Sequence, residues 1–196
     1  MATQGERRAR TRQSLLDAAA ELFAERGVEG ASVDAIAERA DRTSGALYDH
    51  FGSKDGLLFA LLEGWVDDVA AVTGAELSTA TTLDERVAVM WRNVADPVVG
   101  DGRWIALEHE LWSYAARNDE ARAYLARRYR VIWDQVNEGV AEWADGESDV
   151  APALIGLLLG LEMMRRVDPD AVPDELAVAA LRGVVTSRTT RGATTT

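Results

Sequence analysis

The fold of this chain is decided by residues 32–65, which are SVDAIAERADRTSGALYDHFGSKDGLLFALLEGW. Ser32 is suited to cap a short helix over 33–40, because its hydroxyl can accept a free backbone N–H of the first turn. Asp41 then interrupts the helical spacing, and a second short helix follows over 43–50. Two short helices about three residues apart, placed between two longer helices, have the dimensions of a helix-turn-helix.

The second short helix is too polar, and its residues are too small, to be mainly a core element. Its small residues can approach base edges closely, and a threonine or alanine methyl can pack on a thymine methyl. The residues in question are Thr43, Ser44 and Ala46. Tyr48, His50 and Lys54 can bind phosphates, and the arginines of 7–12 can reach phosphates or the adjacent minor groove. The stretch therefore predicts contact with double-stranded DNA.

Helical spacing of apolar residues continues through the remainder of the chain. An amphipathic stripe precedes the quoted stretch and ends at Gly27, and a long helix follows Ser53. Further helices are predicted over 83–95, 102–117, 119–144, 149–166 and 173–186. No alternating strand pattern persists, so the sequence predicts an all-α fold of about nine to ten helices. The small polar residues of 187–196 predict a disordered tail.

Composition excludes several kinds of site. The chain has 196 residues, 47% of them hydrophobic, which is enough to form a core. Cysteine is absent, so disulfides, thiol nucleophiles and cysteine-ligated metals are excluded. With only two histidines, neither a metal nor a cofactor is predicted. No secretory signal is found, and the apolar segment 150–164 is too short to span a bilayer, which predicts a cytoplasmic protein with no membrane contact.

Charge divides the chain into two parts. The formal net charge is −12, of which residues 1–54 contribute −1 and the remaining residues −11. A globally basic coat for nucleic acid is therefore excluded. The distribution predicts a nearly neutral N-terminal head with a basic tip, followed by an acidic body.

The quoted stretch closely resembles the DNA-binding region of the TetR (tetracycline-repressor-like) family of bacterial regulators. The shared motif is G-x-L-Y-x-H-F at 45–51, followed by Ser53 and Lys54, and with the preceding helix the resemblance covers about residues 8–65. It implies a three-helix DNA-binding domain over 1–54, joined by a long helix to a ligand-binding and dimerisation domain over 55–186. Phosphate contacts are implied for Ser32, Thr43, Tyr48, His50 and Lys54. Base contacts are implied for Ser44 and Ala46.

The turn between the two short helices departs from the family pattern. The family usually has glycine followed by an apolar residue, and this chain has Asp41 and Arg42. Aspartate tolerates the left-handed backbone conformation that such a turn requires. Arg42 cannot be the usual buried side chain, so either it faces DNA or the turn is repacked around it.

The body contains candidate residues for a small-molecule site. Glu108 lies on the apolar face of its helix, where a carboxylate must be paired or hydrogen-bonded. Either it pairs with an arginine or caps a neighbouring helix, or it lines a pocket and orients a ligand. Several tryptophans in one small helical body favour a flat or cationic ligand. The candidate ligand-binding residues are Trp65, Trp91, Trp104, Glu108, Trp112 and Trp133.

A dimer interface is predicted on the helices 119–144 and 149–166. Residues 153–164 are apolar nearly all round, so more than one side of this helix must be covered. Gly156 and Gly160 would let another helix approach closely. Two such helices from each subunit would form a four-helix bundle. The alternative is that these residues form ordinary core within one subunit.

These observations favour a ligand-responsive transcriptional regulator. The leading hypothesis is a repressor that a small organic effector releases from a near-palindromic operator. The alternative is a DNA-binding regulator that has no small ligand and either depends on a protein partner or acts constitutively. An enzyme is not favoured, because Glu108, His109 and Glu110 are adjacent in a helix and point in different directions.

Overall fold

The structure is a computed structural model that describes residues 3–95, 104–144 and 149–187, without the side chains of Trp65, Trp104 and Ala144. All regular structure in these ranges is helical, which confirms the predicted all-α class. The helices are α1 (Gln4–Gly30), α2 (Val33–Arg39), α3 (Ser44–Phe51), α4 (Lys54–Leu77), α5 (Leu83–Ala95), α6 (Trp104–Ala115), α7 (Asp119–Ala144), α8 (Ala151–Val167) and α9 (Asp174–Thr186). The predicted tail lies outside the described residues except for Ser187.

Helix α1 contains a break at Gly27, the residue at which the sequence predicted that the helix ends. Gly27 has φ 71° and ψ 168°, and the chain then makes one more turn to Gly30. A positive φ of this size is costly for any residue with a Cβ, so the glycine is required by the backbone itself. Beyond the break, Val28 is fully buried. The break therefore accompanies burial of the Val28 side chain, while Glu29 and Gly30 stay exposed.

The helices group into two compact units that do not follow chain order. The first unit contains Met1–Asp68 and Gly100–Leu125, so that α6 packs with the helices of the N-terminal head. Its core is formed by apolar residues of α1, α2, α3, α4 and α6, including Leu15, Phe23, Ile36, Leu47, Leu58 and Leu111. Burial of these side chains fixes α2 and α3 against α1 and α4.

The second unit contains Val69–Val99 and Ala126–Thr196. Trp91 of α5 is buried, and its indole N–H donates to Asp174 at the start of α9 over 2.8 Å. The guanidinium of Arg165 lies 5.5 Å from the centre of the Trp91 ring and also binds Asp174. These two contacts on Asp174 lower the pKa of its carboxyl, because both the indole and the guanidinium favour the charged form. Trp91 is thus a core residue that connects α5, α8 and α9.

One face of α8 belongs to the core of the second unit and another is open. Leu154, Leu158 and Leu159 are buried. On the open side, a Cβ added at Gly156 or Gly160 would meet no atom within 4 Å.

Among the described helices, none is long and apolar enough to cross a membrane.

Candidate DNA-binding site

Side-chain caps begin both short helices of the head. The hydroxyl of Ser32 accepts the backbone N–H of Ala35 over 3.2 Å at the start of α2, which confirms the predicted N-cap. Thr43 accepts the N–H of Ala46 in the same way at the start of α3. Each cap satisfies one of the donors that a helix leaves free at its first turn. The positions of α2 and α3 along the chain are therefore fixed locally.

The turn between α2 and α3 adopts the left-handed conformation expected at Asp41, whose φ is 53°. Arg42 follows, and its backbone N–H donates to the carbonyl oxygen of Ala37 over 2.9 Å. The guanidinium of Arg42 folds back and donates to the carbonyl oxygen of Asp41 over 2.6 Å. Its Nε is buried and has no hydrogen-bond partner. The side chain is thus half-buried beside the turn and keeps unused donors.

The surface of α3 carries most of the candidate DNA contacts. Leu47 points inward and is fully buried, while Tyr48 is 53% exposed. Thr43 is exposed, and Ser44 and Ala46 are half-buried. The Ser44 hydroxyl donates to Oδ1 of Asp34 in α2 over 2.6 Å, which connects the two short helices. Thr43 and Tyr48 are thus open to solvent, while Ser44 and Ala46 are partly covered and Leu47 anchors α3 in the core.

The basic start of α1 lies beside the end of α3. The guanidinium of Arg12 lies 5.3 Å from the centre of the Phe51 ring. His50 lies close enough to Arg8 and Arg12 to be affected by their charges. Partial burial and these two positive charges lower the pKa of His50 below its ordinary value. Arg8 and Arg12 thus disfavour the charged form of His50 at this corner of the head.

Lys54 has a structural role that the sequence did not indicate. Its ammonium group donates to the carbonyl oxygens of Val28, over 2.8 Å, and Ala31, over 3.2 Å, at the end of α1. An ammonium has three donors, so one remains for a phosphate. Lys54 therefore joins α4 to the end of α1 through two hydrogen bonds and keeps one donor for the predicted phosphate contact.

Sequence reasoning also missed a group of polar contacts made by α6. Oε1 of Glu110 accepts the backbone N–H of Val28 over 3.1 Å. The Tyr114 hydroxyl donates to Asp55 over 3.1 Å, and Asn118 donates to the Tyr114 oxygen over 2.7 Å. Burial and the nearby Asp55 charge raise the pKa of Tyr114. No local pattern marks the contacts of Glu110 and Tyr114 with Val28 and Asp55, because these partners are distant in the chain.

The candidate ligand-binding residues fall into separate groups. Glu108 is 1% exposed, and its Oε1 accepts the indole N–H of Trp112, which is one turn further along α6, over 3.2 Å. Trp91 lies in the core of the second unit, and Trp133 lies beside Tyr129 with ring centres 5.8 Å apart. The side chains of Trp65 and Trp104 lie outside the described part of the chain. The structure thus brings together Glu108 and Trp112 of this set.

A cavity of about 450 Å³ lies between α1 and α4 in the first unit. Charged side chains line it, including Arg12, Asp17, Glu63 and Asp67. Of the candidate ligand-binding residues with described side chains, Trp91, Glu108, Trp112 and Trp133 do not contribute to its wall. Within the described ranges, no group of three or more histidine, aspartate or glutamate side chains is arranged to hold a metal ion.

Known proteins resemble this chain in both sequence and fold. A family profile described as bacterial regulatory proteins, tetR family, matches residues 15–61. The transcriptional repressor KstR2 of Rhodococcus jostii is 36% identical over 146 residues, which cover 71% of this chain and 69% of that protein. The repressor AcnR of Corynebacterium efficiens is 29% identical over 141 residues, which cover 72% of this chain and 70% of that protein.

Solved structures agree with these relatives. A TetR-family member from Streptomyces coelicolor superimposes with a TM-score of 0.67 at 26% identity, over 89% of this chain and 97% of that one. A transcriptional regulator from Rhodococcus superimposes with a TM-score of 0.70 at 22% identity, over 94% and 98% of the two chains. Together with the capped helices α2 and α3, these likenesses decide the family. The chain belongs to the TetR family of bacterial transcriptional regulators, whose members bind operator DNA as dimers and are not enzymes.

Proposed function

We propose that this protein is a cytoplasmic repressor that binds a near-palindromic operator as a homodimer and is released by a small organic effector. The observation that carries the proposal is the exposed surface of α3. Its side chains are suited to bases and phosphates, and the helix is fixed by its own N-cap. The relatives KstR2 and AcnR are named as repressors, which supports the same direction of control. A dimer would present two such helices to successive turns of the major groove.

The proposed DNA surface has two kinds of contact. Ser44 and Ala46 face bases, where a small side chain allows close approach to the edges of the pairs. The other contacts are made to phosphates, which fix the position of the head and carry no sequence information. The proposed phosphate-binding residues are Ser32, Thr43, Tyr48, His50 and Lys54, and Arg42 is proposed as a further DNA contact. The exposure of Tyr48 and the remaining donor of Lys54 support this assignment.

The proposed dimer interface uses the open face of α8 together with α7. Gly156 and Gly160 have free space above them, and Val167 at the end of the same helix is 80% exposed. Met163 and Met164 are also exposed. An apolar helix face of this length is unfavourable in water, and a second copy of the same face would cover it in a symmetric contact.

The proposed effector site is centred on Glu108 and Trp112. A buried carboxylate beside an indole is suited to an organic cation, because both the charge and the ring attract it. Trp65 and Trp104 stay proposed members of this site, whereas Trp91 is a core residue of the second unit and Trp133 packs against Tyr129 in that unit, so neither carries the proposal. Replacing Glu108 with glutamine keeps the shape and removes the charge, so it should weaken binding of a cationic effector selectively.

The test begins with selection of bound duplexes from a genomic DNA pool, followed by affinity measurements on the selected operator. Tyr48→Phe should weaken binding to every duplex by a similar factor, because a contact to phosphate carries no sequence information, and should leave the salt dependence almost unchanged, because the lost hydroxyl is uncharged. Thr79→Val is the control, because it removes an exposed hydroxyl from the second unit, outside the proposed DNA and dimer surfaces. An altered base preference in Tyr48→Phe would contradict the phosphate assignment.

Effector release is tested on the same operator with a panel of planar and quaternary ammonium compounds. An effector should quench tryptophan fluorescence and lower operator affinity over the same concentration range. Fluorescence quenching without release of the operator would contradict the proposed site. Release by a compound that is neither cationic nor planar would also contradict it. Failure of the wild-type protein to select any duplex would contradict the regulatory function as a whole.

A further inference from the structure

Val28 lies where three helices meet, and side chains from two other helices hold its backbone polar groups. Its N–H donates to Oε1 of Glu110 in α6 over 3.1 Å. Its carbonyl oxygen accepts from Nζ of Lys54 in α4 over 2.8 Å. The Val28 side chain is fully buried. The end of α1 is therefore fastened to α6 through one group and to α4 through another.

The break at Gly27 makes room for this contact. A Cβ built at position 27 would lie 2.7 Å from Oε1 of Glu110, closer than real Cβ atoms approach an oxygen. The positive φ of Gly27 also turns the following N–H of Val28 out of the helical path. A buried backbone N–H without a partner is costly, so the Glu110 carboxylate completes the end of α1.

The same face of α6 makes two more contacts with neighbouring helices. Tyr114 is four residues after Glu110, and its hydroxyl donates to Asp55 in the first turn of α4. Residues four apart in a helix lie on one face, so Glu110 and Tyr114 contact α1 and α4 from the same side of α6. Lys54 and Asp55 are consecutive, which means that α6 reaches the start of α4 both directly and through Val28.

We propose that Glu110 is a positioning residue for operator binding. It does not touch DNA; it holds Val28, and Val28 holds the ammonium group of Lys54. Helix α4 begins three residues after α3 ends at Phe51, so the position of Lys54 also determines where the C-terminal end of α3 lies. The inference rests on the DNA surface proposed above. Loss of the Glu110 hydrogen bond should displace Lys54 and α3 from their DNA-contacting positions.

Two conservative substitutions separate the reach of the side chain from its charge. Glu110→Gln keeps an oxygen at the same distance and removes the charge, whereas Glu110→Asp keeps the charge and is one methylene too short. If the hydrogen bond to Val28 positions the head, Glu110→Asp should lower affinity for the selected operator about tenfold, which corresponds to about 1.4 kcal/mol. Glu110→Gln should bind like the wild type. Amide hydrogen exchange at Val28 should be fast in the aspartate variant and slow in the other two proteins.

The matched control is Arg117→Ala, which removes an ion pair between the end of α6 and Glu29 of α1. Both partners are more than 60% exposed, so this contact should not affect operator affinity. Equal operator affinity of the aspartate variant and the wild type would overturn the positioning role, and so would loss of affinity in the glutamine variant. The positioning role would also be overturned by an aspartate variant that is unfolded, or by one whose only change is a lower melting temperature. Either result would show that Glu110 makes a general structural contact. A wild-type protein that selects no duplex contradicts the proposed function instead.

Discussion

His50 combines a place in the proposed DNA surface with a lowered pKa. Burial opposes the charged imidazolium, and the positive charges of Arg8 and Arg12 oppose it further. Protonation of His50 therefore works against the folded state, and its contribution to stability falls as the pH drops below the ordinary value of 6.5. A DNA phosphate beside His50 would have the opposite effect and would favour the charged form.

The sign of the resulting pH dependence follows from this difference. If His50 binds a phosphate, operator binding takes up a proton, so operator affinity should rise as the pH is lowered from 8 towards 6. His50→Gln should remove this dependence, and His109→Gln, which changes the second histidine of the chain, should retain it. Fluorescence anisotropy at constant ionic strength measures the operator affinity of each protein across this pH range. An unchanged pH dependence in His50→Gln would place the proton uptake elsewhere.

Arg42 occupies a position where most of its donors are unused. Only one guanidinium N–H is donated within the turn, and the buried Nε has no partner. We expect Arg42→Ala to cost about 1–3 kcal/mol of operator binding free energy and to leave the free energy of unfolding almost unchanged. Operator titration and urea denaturation on the same samples test this. A large stability loss with unaltered affinity would show that Arg42 serves the turn and not the DNA.

At the scale of helices, the open face of α8 makes the clearest prediction. Gly160→Glu would place a charge at the proposed two-fold contact, where symmetry presents it twice. We expect this variant to sediment as a monomer and to lose operator binding although the head is unchanged. Gly183→Glu in α9 is the matched control, since its glycine is also helical and has free space above it. A Gly160→Glu protein that remains dimeric would move the interface to another helix.

Helix positions were largely predictable because they depend on nearby residues. The predicted ranges 83–95 and 119–144 coincide with α5 and α7, and the caps at Ser32 and Thr43 are formed by residues three positions away. The predicted helix over 102–117 contains α6, although its first two residues lie outside the described part of the chain. Apolar spacing and caps are local properties, which a sequence displays directly.

Contacts between distant helices were not predictable in the same way. Glu110 and Val28 are 82 positions apart, and nothing in the spacing of either helix indicates that they meet. The same applies to Lys54, whose charge suggested a phosphate and whose two carbonyl partners lie in another helix. The candidate ligand residues are a similar case, because a tryptophan has the same sequence pattern in a core, as at Trp91, and in a pocket.

For the whole molecule, the proposed dimer makes the spacing of the operator decisive. One head of about fifty residues offers too few contacts for tight and selective binding, so both half-sites should be required. Inserting five base pairs between the half-sites turns one of them to the opposite side of the duplex, because a turn contains about ten base pairs. We expect this insertion to reduce affinity to the non-specific level, as measured by gel shift. Unchanged affinity would show that each head binds independently.

The hydrogen bond between Ser44 and Asp34 has a consequence for base preference. A serine hydroxyl has one proton, and that proton is donated to the Asp34 carboxylate, so only the lone pairs of the oxygen face outward. A base edge that meets Ser44 must then supply an N–H. In the major groove only the amino groups of cytosine and adenine do so, while guanine and thymine present oxygen acceptors at the equivalent positions. Asp34 would thereby influence, through its hydrogen bond to Ser44, which bases of the operator Ser44 accepts.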